Sequence, residues 1–91
     1  MPSDDLLGRV LASVSRNTGS AAVLDPVWRQ IAGEVVAQAA APSRWMGTVL
    51  VIGCRSAAWA NELGQQRHEW LARLQRRLGA STVTGLLFEA R

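Results

Sequence analysis

The sequence predicts an α+β domain in the order α-α-β-β-α-β, with a three-stranded sheet and helices packed on one face. Three observations carry that expectation. Apolar residues recur at helical spacing in three stretches, β-branched runs take over after Pro42, and proline or glycine punctuates the changes of pattern. Ninety-one residues, nearly half of them apolar, suit one hydrophobic core and no second one.

Ser3 caps a first helix, and Asp4 and Asp5 occupy its first turn, where carboxylates favour the positive end of the helix dipole. Leu6, Leu7, Val10, Leu11 and Val14 give it one apolar stripe, and "NTGSAA" reads as the loop that follows. Residues 1–23 thus form an N-terminal helix and loop, and residues 24–91 the main folded unit. The second helix starts at "LDPVW", with Asp25 as its cap and Pro26 at the first helical position, where a missing N–H costs nothing. Val27, Trp28, Ile31, Ala32, Val35 and Ala39 share its apolar side. Gly33 weakens the middle of this helix and is expected where another element approaches closely. Pro42 closes it, because a proline drives the preceding residue out of helical geometry.

Beyond Pro42, "SRWM", a turn near Gly47 and "TVLVIGC" read as two short antiparallel strands, the second more buried. Ser56 caps a third helix over about residues 57 to 78, with Gly79 at its C-terminal end. Trp59, Leu63, Trp70, Leu74 and Leu78 fall in one arc at about 100° per residue, with Leu71 at the edge. "STVTGLLFEA" supplies the last strand, with Val83, Leu86, Leu87 and Phe88.

Composition narrows the chemistry. Ten arginines and no lysine stand against seven acids, for a net charge of +3, so the high pI reflects the arginine pKa more than a large charge excess. One cysteine and one histidine cannot assemble an ordinary metal cage, and Cys54 reads as a small buried side chain. The N-terminus has acids where a signal peptide needs basic residues, and no apolar run approaches the roughly 20 residues that span a bilayer. A cytoplasmic protein without metal or cofactor is expected. His68 lies off the apolar arc with no carboxylate paired to it, and there is no P-loop or nucleophile elbow, so an enzyme is not expected.

The candidate binding residues are aromatic and cationic. Trp28 and Trp59 belong to core stripes, whereas Trp45 sits beside Arg44 on a short strand and can face either way. An exposed tryptophan there would mark a protein-partner contact, and a buried one would stabilise the fold. Arg67 falls inside the apolar arc of the third helix. Either its head reaches water or a carboxylate such as Glu34, or it receives a partner's acid or a phosphate. Arg73, Arg76 and Arg77 cluster near the end of the same helix, where cations suit the dipole, and Glu69 is placed to pair with Arg73. Together with Arg44 and Arg55 they form either a solvated face or a set of contacts to nucleic-acid phosphate or an acidic partner.

Taken in order, these segments resemble the DciA family of bacterial replication proteins. The likeness runs from Val27 to Phe88. It rests on Trp28 followed by Gly33, a proline-led hairpin, the spaced set Val51, Ser56, Trp59, Glu62 and Leu63, a leucine-spaced helix ending in Leu78 and Gly79, and a short final strand. The resemblance implies a KH-like α+β domain, with Trp28, Gly33, Trp59 and Leu63 as its structural signature. It further implies a non-enzymatic adaptor that binds the hexameric replicative DNA helicase and promotes its loading on single-stranded or tailed DNA. No two glycines stand three apart, so the GxxG loop by which KH domains clamp a strand is missing. The alternatives are a general KH-like module for RNA or structured DNA without a helicase partner, and a protein-interaction domain unrelated to DNA.

Overall fold

The computed structural model of the chain describes Val10 and residues 20–90. The first helix expected from Ser3 onward lies outside the described residues, apart from Val10. The described part begins with a 3-10 turn at Ala22–Leu24 and continues as α1 (Asp25–Ala32), α2 (Glu34–Ala39), β1 (Ala40–Met46), β2 (Val49–Cys54), α3 (Ala57–Gln65), α4 (Arg67–Leu78) and β3 (Gly85–Ala90). This is an α+β fold, with the strands in the order β1-β2-β3. β1 and β2 form an antiparallel hairpin around Gly47, and β3 joins β2 in parallel after the chain has crossed through α3 and α4.

Two of the three expected helices are broken. The second helix was expected to run through Gly33, but it divides there because Gly33 adopts φ 88° and ψ 166°, a region essentially closed to residues with a side chain. A Cβ built on Gly33 would meet nothing within 4 Å, so the glycine serves backbone conformation and not close approach. The break also turns Val35 off the expected stripe: it is 73% exposed, while Ala37 is buried in its place and Ala39 is buried as expected. The third helix breaks at Gln66, whose N–H donates to the Leu63 carbonyl three residues back and not to the fourth. Gly64, two residues before the break, is the weak helix former of this stretch.

Pro42 does not close α2, which ends three residues earlier at Ala39. The proline sits inside β1, where an edge strand has no sheet partner for the missing N–H. Between Pro42 and Arg44 the register slips, leaving Ser43 bulged, and the Ser43 carbonyl accepts a hydrogen bond from the Ala21 amide at 3.1 Å. The last strand is shorter than the sequence suggests, because residues 80–82 form a turn and pairing begins at Gly85.

The core lies between the helices and the sheet face that carries Leu50, Ile52, Cys54 and Leu86. Trp28 is its centre. Fully buried, it donates its indole N–H to the Ala40 carbonyl at 2.8 Å and packs at 48° to the Trp70 ring, with centroids 5.6 Å apart. That hydrogen bond joins α1 to the first residue of β1, and the ring pair joins α1 to α4. Ser56 caps α3 as expected, accepting from the Trp59 amide at 3.2 Å.

Candidate functional site

The guanidinium groups separate into two populations. Arg29 and Arg44 are neutralised. Arg29 bridges Asp25 and Glu34 at 3.0 Å each, which raises its pKa chiefly through the hydrogen bond to Asp25. Glu34 is thus engaged by Arg29 and not by Arg67. Arg44 grips Glu89 across the sheet with contacts of 2.6 and 3.4 Å. That pairing raises the Arg44 pKa and lowers that of Glu89, in each case mainly through the shared hydrogen bond. Both side chains remain over a third exposed, so the pair contributes little to stability.

Arg55, Arg67, Arg73 and Arg76 form no salt bridge with any described acid. The break at Gln66 explains Arg67: as the first residue of α4 it leaves the apolar arc and is exposed. Arg73 does not pair with Glu69; its guanidinium lies over the Trp70 ring, 5.0 Å from the centroid. Arg77 reaches across to α1 and donates to the Gln30 side-chain carbonyl at 2.8 Å.

These contacts shape a surface cleft of about 230 Å³ between α1 and α4, lined by Ile31, Arg73, Arg76 and Arg77. The structure thus gathers three of the six candidate arginines at one place. Arg44, Arg55 and Arg67 do not line this cleft. Sequence reasoning missed Ile31 as its other wall, and nothing in the local pattern signals it, because it comes from a helix more than 40 residues away.

Trp45 faces the core side of β1, opposite Leu50, and is half-buried there. Trp59 is also half-buried against the core, and with Ala58 and Glu62 it edges a smaller notch of about 160 Å³. Leu63 and Cys54 are buried as expected, and His68 is exposed. Among the described residues, no helix is long and apolar enough to cross a membrane.

A family model described as "Dna[CI] antecedent, DciA" matches residues 2–88. The chain belongs to the DciA family. The match covers nearly the whole chain, so it takes in the N-terminal segment that the sequence comparison from Val27 onward left outside. Membership of the DciA family implies, in general terms, a non-enzymatic adaptor of the helicase-loader type that works in DNA replication. No curated protein matches the chain.

Proposed function

We propose that this protein is a replication adaptor that binds the hexameric replicative DNA helicase and promotes its loading on single-stranded or tailed DNA in the cytoplasm. Membership of the DciA family over residues 2–88 is the observation that carries this reading. The arginine surface supports it: Arg55, Arg67, Arg73 and Arg76 keep charges that no described acid offsets, as a surface meeting a polyanion or an acidic partner requires. Arg44 contributes less, because Glu89 already holds it. The exposed part of Trp45 offers a protein-partner contact on the opposite face of β1.

Light scattering of the purified chain mixed with its cognate helicase tests the proposal. A complex at micromolar concentration and low salt is expected, and its absence would end the adaptor reading. The arginine cleft also suits a nucleic-acid-binding module that needs no helicase. Under that alternative, DNA or RNA binding would be unchanged by helicase and no complex would form.

A further inference from the structure

We propose that the free edge of β3 is a self-association site, where a second copy of this chain adds its own β3 antiparallel and joins two three-stranded sheets into one of six. This goes beyond the adaptor reading and does not depend on it.

The two edges of the sheet are built differently. β1 carries devices that keep an edge strand from recruiting another: Pro42, the bulge at Ser43, and chain already lying alongside, with Ser20 bridged to Arg44 and the Ala21 amide bonded to the Ser43 carbonyl. β3 carries none of them. Its six residues pair with β2 without a slip, from Gly85 opposite Val49 to Ala90 opposite Cys54, and they include no proline and no cation. Glu89 is its one charge, and Arg44 holds that carboxylate across the sheet, on the side away from the free edge. Among the described residues only β2 pairs with β3, so the other side of the strand presents a row of unpaired backbone groups.

The residues of β3 suit a copy of themselves. Leu86 lies on the core face and Leu87 on the other, so a twofold axis normal to the sheet must set odd positions opposite odd and even opposite even. With the axis at Leu87, that residue faces its own copy, Leu86 faces the second copy's Phe88, and Gly85 faces the second copy's Glu89. No like charges meet, and the glycine leaves room for the carboxylate that Arg44 holds. Moving the axis to Phe88 would set Leu87 against Glu89 on both sides, and moving it to Leu86 would leave Phe88 opposite Thr84, outside the strand. Leu87 is 39% exposed in the single chain, and the pairing covers it. This match of the strand with itself selects a second copy over an unrelated extended peptide.

Sedimentation equilibrium of the full chain, without helicase or nucleic acid, tests the proposal. The weight-average mass should rise from 9.8 kDa at dilution toward twice that value as concentration increases. One strand pair buries less than about 1,200 Å², the size of weak and transient contacts, so the rise belongs at roughly 10 µM to 1 mM. L87K sets like charges opposite each other at the axis and should weaken association about tenfold or more, as should L87E. Mixing the two should restore it, because lysine then faces glutamate. M46K adds the same charge at another apolar side chain, 53% exposed on β1, and should associate within about twofold of wild type. Hydrogen exchange gives a readout free of substitutions: amides of residues 85–90 should slow as the wild-type concentration rises, while those of residues 40–46 do not.

A wild-type chain that stays monomeric at about 1 mM would overturn the proposal. So would L87K associating like wild type, an L87K and L87E mixture no better than either alone, M46K losing association as fully as L87K, or protection that rises in β1 in place of β3.

Discussion

Replacing Gly33 with alanine would put a Cβ on a residue held at φ 88° and ψ 166°, whereas the same change at Gly64 adds a methyl inside α3. Neither methyl meets an atom within 4 Å, so packing predicts no difference between them. Backbone conformation does. At Gly33 the substitution should cost about 1–3 kcal/mol, because alanine must either occupy a region reserved for glycine or pull α1 and α2 into new positions. The second course is blocked from both ends, since Gly33 donates to Arg29 at 2.9 Å and accepts from Ala37 at 2.9 Å. At Gly64 the backbone is helical, and alanine should stabilise by about 0.5–1 kcal/mol through the narrower unfolded ensemble and better helix propensity. For a chain of this size, about 1 kcal/mol moves the melting temperature by roughly 4–8 °C. Thermal unfolding followed by circular dichroism should therefore show G33A melting below wild type and G64A above it. A G33A protein as stable as wild type would refute the claim that a positive φ, and not close packing, selects this glycine.

Two further outcomes follow from the core and the sheet. Trp28→Phe leaves the buried Ala40 carbonyl without its donor and a gap beside Trp70, so urea unfolding should show a loss of about 2–4 kcal/mol; an unchanged midpoint would remove the indole from its place as the α1–β1 tie. Glu89 has a folded pKa below its ordinary value of 4.5, so its contribution is present above that pH and is lost as the pH falls through the depressed value. Glu89→Gln should flatten this part of the stability profile below pH 4.5 and have only a small effect at neutral pH, measured by melts across an acid series.

Much of the architecture was legible in the letters because period and punctuation are local. Pro26 at the start of α1, Ser56 as the cap of α3, Gly79 after α4 and the hairpin around Gly47 all follow from what a few neighbouring residues can do. The failures share a cause. A 3.6-residue count carried through Gly33 and Gln66 predicts uninterrupted helices, so it placed Val35 inside and Arg67 within the apolar arc, and one residue of non-helical backbone reverses both placements. At Pro42, the sequence suggested the end of a helix, but that helix already stops at Ala39, and the bulged edge strand that accommodates the ring depends on where β2 lies.

The arginines make the same division sharper. Sequence alone determined that this chain is a small α+β unit of the DciA kind, rich in guanidinium groups and poor in catalytic side chains, because composition, spacing and capping are properties of the string. Only the tertiary structure decided which cations are neutralised. Glu89 lies 45 residues from Arg44 and Gln30 lies 47 from Arg77, so their meeting depends on the parallel crossover and on the packing of α1 against α4. Electrostatic pairing falls off within a few ångströms, and distance in space is the quantity that a linear order of residues does not contain.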